Sequence, residues 1–330
     1  MDEIQRVMSR RVAVIDCGTN TFNLRIVEFT KEIQPGLWFD VFSVRLPVKL
    51  GKGGVGKGMI LPERITRGID AIGVMLEAIR NYKAKEVYII ATSALRDASN
   101  SRDFVKKCMD LYSLRVNIIS GSSEAALIQS GMELTYTPAP EVNLLTMDIG
   151  GGSTEFIIWN SEEGCIWSRS FNVGVARLAN LFDFKDVFTE EAYKKMEPFI
   201  ADELQPLKVA LEQLKPTVLI GCSGSFDTFS DVMGHKYEDL KPGNHPAANE
   251  IDKVELLKLF TELMQNTSAE RLAMDGMSPD RAEHIPYAVA ISKWVLEQSD
   301  VDSIYRSQYA LREGVMNRLS KNMSPAPGVA

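Results

Sequence analysis

Histidine and cysteine are scarce in this chain, with three and four respectively in 330 residues. Cys17, Cys108, Cys165 and Cys222 are far apart and form no CxxC pair, so neither a zinc site nor a disulfide framework is indicated. They read as reduced, buried small residues. His235, His245 and His284 have no metal-ligand spacing, and two of them sit in a polar loop, where a solvated side chain is the simpler reading. No stretch approaches the roughly 20 apolar residues needed to cross a bilayer, and MDEIQRVMSRR at the amino terminus carries acidic residues and no apolar leader core. The expectation is a cytoplasmic protein with no membrane partner. A net charge of −7 speaks against a surface that attracts long polyanions everywhere. Trp38, Trp159, Trp167 and Trp294 fall in strand or helix patterns and suit packing better than a base-stacking platform. Nucleic acid is therefore not an expected partner.

What is present is an ordinary folding composition, 45% hydrophobic and 25% charged, at a length that suits two domains of about 150 residues each. Val12 to Ile15, Leu24 to Phe29 and Leu37 to Val44 read as three strands of a meander. An amphipathic helix follows from Pro62 to about Arg80, with Ile65, Ile69, Ile72, Leu76 and Ile79 at helical spacing. Strand Val87 to Ala91, a helix at Phe104 to Tyr112, strand Val116 to Ile119 and a helix from Ser123 then alternate as in βαβ units. The first domain is expected over 1–128 and the second over 129–330, the last helix packing back on the first domain. In the second, strand Leu144 to Asp148 reopens the meander, one long helix spans Glu190 to Leu214, and strand Val218 to Gly221 leads into a helix from about Ser225. A polar loop with Pro242, Gly243, Asn244 and Pro246 follows, and the tail 324–330, SPAPGVA, reads as disordered.

The restart is a repeat in residues too: VIDCGTNTFNLRIVEF from Val14 parallels TMDIGGGSTEFIIW from Thr146, and an internal duplication explains it. Asp16 ends a strand and is followed by Gly-Thr-Asn-Thr, which either aims backbone N–H groups at an anion or makes a tight hairpin tolerating positive φ. Three consecutive glycines after Asp148 lose much conformational entropy on folding and fit close approach by phosphates. Gly221-Cys-Ser-Gly-Ser225 ends a strand and opens a helix, another place for a phosphate. Residues 41–62 hold Arg45, Lys49, Lys52 and Lys57 without a carboxylate, and read as a solvated basic loop or a basic rim for a polyanion. Within it, Gly51-Lys-Gly-Gly-Val-Gly-Lys57 nearly spells a P-loop, but Gly58 stands where Ser or Thr is required and no helix grows from it.

Asp-x-Gly turns in duplicated lobes resemble the actin-like phosphate fold. With ATSALRDASN at Ala91, ISGSSEAALIQSG at Ile119, MSPDRAEHIPYAVAI at Met277 and YALREGV at Tyr309 in order, the chain resembles the Ppx/GppA family of exopolyphosphatases and guanosine pentaphosphate phosphohydrolases from about Val12 to Asn317. The resemblance implies an α/β protein of two duplicated actin-like ATPase (ribonuclease H-like) domains with a cleft between them. It implies release of terminal orthophosphate from inorganic polyphosphate, with guanosine pentaphosphate or tetraphosphate as the alternative substrate class and Mg2+ as cofactor. By position, Glu124 would be the catalytic base, with Glu155 and Asp148 as further acidic groups of the catalysis. Asp16 and Asp148 would hold the metal. Thr19, Asn20, Thr21, Gly151, Gly152, Ser153, Thr154, Ser223 and Gly224 would cradle phosphates.

Taken singly, Glu124 is also a carboxylate favoured by a helix dipole, and Arg96 either neutralises substrate charge or makes a structural ion pair. Asn23 and Ser123 depart from the family pattern, where many members carry a basic and an acidic residue. The long members also continue into a carboxyl-terminal region that this chain lacks. Rival readings are an actin-like kinase and a non-catalytic sensor of polyphosphate or alarmone, and a homodimer would lengthen the binding surface of a short form.

Overall fold

The computed structural model describes residues 9–30, 36–182, 184, 187–234 and 247–328. It divides into two compact units: residues up to Leu134 together with those from Leu311 onward, and Thr135 to Ala310 apart from a masked stretch. The polar loop with His235 and His245 lies outside the described residues.

In the first unit, β1 (Arg10–Cys17), β2 (Thr21–Phe29) and β3 (Phe39–Pro47) form the antiparallel meander. A single 3-10 turn at Val55–Lys57 precedes α1 (Pro62–Asn81), β4 (Glu86–Ala91), α2 (Ser93–Asp97), α3 (Ser101–Tyr112), β5 (Val116–Ile118) and α4 (Gly121–Met132). The sheet order is β3-β2-β1-β4-β5, with β4 and β5 parallel to β1. Val12 to Ile15 are fully buried, because the central strand has both faces covered and therefore carries a continuous apolar run. Pro62 starts α1, where its missing N–H costs nothing. The stripe Ile65, Ile69, Ile72, Leu76 and Ile79 is buried over the sheet.

The second unit repeats the plan with β6 (Leu144–Ile149), β7 (Thr154–Asn160), β8 (Gly164–Phe171), α5 (Val175–Leu181), α6 (Glu190–Glu203), α7 (Gln205–Leu214), β9 (Val218–Cys222) and α8 (Ser223–Val232). Strand β10 (Asn249–Ile251), α9 (Lys253–Gln265), α10 (Ser268–Leu272), α11 (Pro279–Ala282), α12 (Ile285–Glu297) and β11 (Ser303–Arg306) complete it. Its sheet order, β10-β11-β9-β6-β7-β8, contains the same succession as the first. Register repeats as well: Asp16 lies opposite Asn23 and Asp148 opposite Glu155. The outer strand pair is interrupted by a register shift at Ile26/Val27 in one unit and at Ile158/Trp159 in the other. A shared bulge position is hard to reach twice independently, so the duplication read from sequence is present in the backbone.

Three expectations are corrected. The helix expected over Glu190 to Leu214 is two, broken at Leu204 (φ −92°, ψ 8°), with Pro206 in the first turn of α7; a proline there has no N–H to continue the first helix. Cys165, expected buried, is exposed on the edge strand β8, while Cys17, Cys108 and Cys222 are buried. The tail expected to be disordered is ordered through 328, with Ala326 fully buried. It follows α13 (Leu311–Ser320), which packs on α4. Gly314 allows this approach, since a Cβ there would sit 1.8 Å from the Leu127 carbonyl oxygen. Among the described residues, no helix is long and apolar enough to cross a membrane.

Candidate active site

In the first unit the Thr19–Asn20 turn joins β1 to β2, closed by the Gly18 N–H donating to the Thr21 carbonyl at 3.0 Å. Its two carbonyls are tied down from outside the hairpin: Lys49 N–H donates to Asn20 O at 2.6 Å, and Gly51 N–H to Thr19 O at 3.0 Å. Among the described residues peptide bonds are trans, so the N–H sharing a peptide plane with each tied carbonyl points the opposite way. The Asn20 and Thr21 N–H groups therefore face away from the 49–51 segment. Gly51 is required for that contact, because a Cβ on it would lie 2.5 Å from the Thr19 methyl and 2.6 Å from a Val55 methyl. Thr19 is buried, while Lys52 and Lys57 on the tied segment are exposed.

Asp16 ends β1 on the same hairpin. Burial pushes its carboxyl up to about 6, against the opposing pull of Arg312 and of the Asn23 amide, which donates to Oδ2 at 3.3 Å; Glu313 pushes it further up. Glu313 is itself buried and ion-paired to Arg25 at 2.5 Å, and Arg25 also grips Asp40 through two bonds of 2.7 and 2.8 Å. Arg25, Arg312 and Glu313 were not singled out as site residues from sequence. The only signal for two of them was the YALREGV motif, which lies some 300 positions from Asp16.

Glu124 occupies the first turn of α4, whose cap is Ser120: its hydroxyl accepts from Ser123 N–H at 3.1 Å. The residue is only 7% exposed. Arg96, at the end of α2, donates from Nη1 to Glu124 Oε2 at 2.6 Å and reaches Ile119 O at 3.4 Å. Of the two roles open to Arg96, the structure shows the ion pair. The guanidinium fixes the direction of this buried carboxylate.

In the second unit the hairpin is Gly150 to Ser153, closed by Gly150 N–H donating to Ser153 O at 2.9 Å. Here the carbonyls are held by the start of α5. Val175 N–H donates to Gly150 O at 3.0 Å, Ala176 and Arg177 N–H to Gly151 O at 2.8 and 3.1 Å, and Arg177 Nε to Gly152 O at 2.9 Å. By the same peptide geometry the N–H groups of Gly151, Gly152 and Ser153 face away from α5, three consecutive donors of the kind that cradle phosphate. The side chains of this hairpin serve the fold: Ser153 and Ser170 hydroxyls donate to Glu155 Oε1 at 2.8 and 2.7 Å, and the fully buried Thr154 hydroxyl donates to Val173 O. Thr154 therefore presents no side chain to a ligand. The anion-binding capacity of the loop lies in its backbone.

Asp148 ends β6 and accepts from the Ser223 hydroxyl at 2.8 Å. Ser223 has φ 62°, a conformation that a non-glycine residue adopts at a cost and that here turns its hydroxyl onto the carboxylate. Gly224 is covered by Arg281, whose Nη2 would lie 1.7 Å from a Cβ at that position; Arg281 was missed from sequence although MSPDRAEH contains it. Cys222 lies opposite Asp148 in register, and burial followed by that carboxylate pushes its thiol well up. Burial and Asp16 do the same to Cys17. Neither thiol is a nucleophile at neutral pH. Among the described residues no three His, Cys, Asp or Glu side chains converge, so each unit offers a carboxylate and a donor turn rather than an all-protein metal cage. A cavity of about 360 Å³ lined by Phe188, Leu257, Phe260 and Met264 contains none of these groups.

Two duplicated α/β sheets each carry a carboxylate at the end of a central strand and a turn of outward backbone N–H groups beside it, an arrangement suited to phosphate. The profile of the Ppx/GppA phosphatase family matches residues 30–323. An exopolyphosphatase structure from Cytophaga hutchinsonii superposes with a TM-score of 0.88 at 31% identity, over 96% of this chain and 99% of that one. A Ppx/GppA family member from Aquifex aeolicus gives 0.74 at 25%, over 96% and 100%. A Haemophilus influenzae protein named as a candidate exopolyphosphatase is 26% identical over 96% of this chain and 94% of its own length. A Photobacterium profundum guanosine-5'-triphosphate,3'-diphosphate pyrophosphatase is 26% identical over 94% of this chain but only 59% of its own length. The chain belongs to the Ppx/GppA phosphatase family and is a phosphohydrolase.

Proposed function

We propose that this chain releases terminal orthophosphate from inorganic polyphosphate. The observation that carries the substrate choice is the tie between the Thr19–Asn20 donor turn and the 49–51 segment. It fixes a carboxylate-free stretch bearing Lys49, Lys52 and Lys57 next to a phosphate-binding turn. A linear polyanion needs positive charge beyond the reacting phosphate, spaced along its length. Relatives named for exopolyphosphatase activity also match this chain over 96% of its length, one of them at 31% identity.

In this reading the N–H groups of Gly151, Gly152 and Ser153, and those of Asn20 and Thr21, bind phosphate oxygens. Glu124, oriented by Arg96, takes the proton of a water as its oxygen attacks the terminal phosphorus. The P–O bond to the next phosphate breaks, releasing orthophosphate and a chain shorter by one unit. Asp16 and Asp148, each at the end of a strand in its own unit, are hard oxygen ligands of the kind that suits Mg2+ beside phosphate oxygens; bound, the ion would neutralise phosphate charge. Ser223 orients the Asp148 carboxylate for that role.

The test is phosphate release from long-chain polyphosphate and from guanosine pentaphosphate in the presence of Mg2+, wild type against Glu124→Gln. Release from polyphosphate that is lost in the variant supports the reading. Release from guanosine pentaphosphate alone moves the substrate to the nucleotide. Tight polyphosphate binding without turnover identifies a sensor.

A further inference from the structure

Ser123, in the first turn of α4, and the carboxyl-terminal tail SPAPGVA meet at one hydrogen bond. In the structure the Ser123 hydroxyl donates to the Pro327 carbonyl at 3.0 Å, across 204 residues of sequence. The tail reaches this point by a defined route. After α13, Lys321 and Met323 N–H groups turn back onto Arg318 O at 3.1 and 3.0 Å. Arg318 donates to Ser324 O at 2.9 Å and to Ser324 Oγ at 3.3 Å, and Ser324 Oγ donates to Ala326 O at 3.1 Å. Ala326 is fully buried and Pro325 is buried beside it.

Hydrogen-bond polarity makes the pairing specific. Ser120 Oγ donates to Ser123 Oγ at 3.0 Å, so the single proton of Ser123 is available for Pro327. An ionised carboxylate at 123 has no proton to donate and would face a carbonyl with two acceptor oxygens. A donor at 123 is thus what this tail requires. Ser123 immediately precedes Glu124, and Asn317 of α13 also donates to Ser130 O at 3.0 Å farther along α4. The helix that carries Glu124 is held at its first turn and again toward its end by one carboxyl-terminal segment.

We propose that Ser324 to Pro327 form a strap that positions Glu124, with Ser123 as its anchor. This rests on the reading of Glu124 as the base. Its role is in positioning: Ser123 acts through the orientation of the helix start and does not contact the reacting atoms. Without the strap the first turn of α4 loses its anchor at Ser123, leaving the Ser120 cap and the Arg96 pair, and the Glu124 carboxylate samples directions other than the productive one.

The experiment compares wild type with a chain truncated after Asn322, Ser123→Ala, Ser123→Glu and Ser123→Thr. It measures steady-state kinetics on long-chain polyphosphate and amide hydrogen exchange of residues 120–126. Loss of the strap is expected to lower kcat about tenfold with KM within about twofold, since a misplaced base affects the chemical step more than binding. First-turn amides of α4 should exchange faster. Ser123→Glu should match the truncation while keeping the tail, which covers the case of a truncated chain that does not fold. Ser123→Thr, which restores the hydroxyl, should recover kcat relative to Ser123→Ala, and Ser123→Ala in the truncated chain should add nothing. Unchanged α4 exchange on truncation overturns the proposal, whatever happens to kcat. If wild type releases no phosphate, the proposed function fails and the exchange measurement alone decides whether the strap holds the helix.

Discussion

Replacing Gly174 with alanine tests whether the close approach of α5 sets the triple-glycine turn. Gly174 has φ −140° and ψ 159°, extended backbone that alanine adopts freely, so any effect is steric. A Cβ there would sit 2.7 Å from the carbonyl carbon and oxygen of Gly151 and 2.7 Å from the carbonyl carbon of Gly152, where ordinary contact begins at 3.4 Å. All three are backbone atoms, so the turn itself must move by the difference, 3.4 − 2.7 = 0.7 Å. Overpacking of this kind costs about 1–3 kcal/mol, offset by about 0.4–1 kcal/mol from the stiffer unfolded chain. The net is about 1–2 kcal/mol, a fall in Tm of about 2–8 °C at this domain size. Activity should suffer more. Displacing the Gly151, Gly152 and Ser153 N–H groups by most of an ångström should lower kcat/KM about 10- to 100-fold. Phosphate release and thermal unfolding are measured together, with Gly56→Ala as the control because a Cβ there meets nothing within 4 Å. Gly174→Ala with wild-type turnover and an unshifted Tm would refute the idea that this contact shapes the phosphate-binding turn.

Asp16→Asn should stabilise the fold while abolishing activity. The wild-type carboxyl, raised by burial from 3.8 to about 6, binds its proton more tightly folded than unfolded. Wild-type stability therefore falls as pH rises from about 4 to about 6 and stays lower above that, a loss of at most about 3 kcal/mol. Because Asp16 meets solvent on one side, about 1–2 kcal/mol is the better expectation. Denaturant unfolding at about pH 4 and about pH 8 without divalent ions should show this fall in wild type and not in the variant; equal slopes would show that Asp16 is not the group responsible. Gly314→Ala places a Cβ 1.8 Å from the Leu127 carbonyl oxygen and should wedge α13 from α4, costing about 3 kcal/mol. A denaturation midpoint within error of wild type would show that the two helices part easily.

Much of the fold was legible from residues because its signals are local. The continuous apolar run of β1, the helical stripe after Pro62 and the paired Asp-x-Gly turns each declare themselves within about a dozen positions. The break at Leu204 comes just before Pro206, but Pro198 lies inside α6 without ending it, so the prolines alone did not locate the break. The turns lie where the residues place them, and Ser153 and Thr154 show the limit of residue type as evidence. Both look like phosphate ligands in sequence, yet their hydroxyls serve Glu155 and Val173.

The sequence by itself determined two carboxylate-tipped strands, two glycine-bearing turns and a duplication, since strand, turn and period depend on neighbours along the chain. Tertiary structure decided which partner each charged group faces: Arg96 on Glu124, Arg312 and Glu313 about Asp16, Arg281 over Gly224, and Pro327 on Ser123. Those pairings join residues tens to hundreds of positions apart. They are set by how closely helices and turns can approach, down to single glycines such as Gly314 and Gly174, and no local pattern carries that distance.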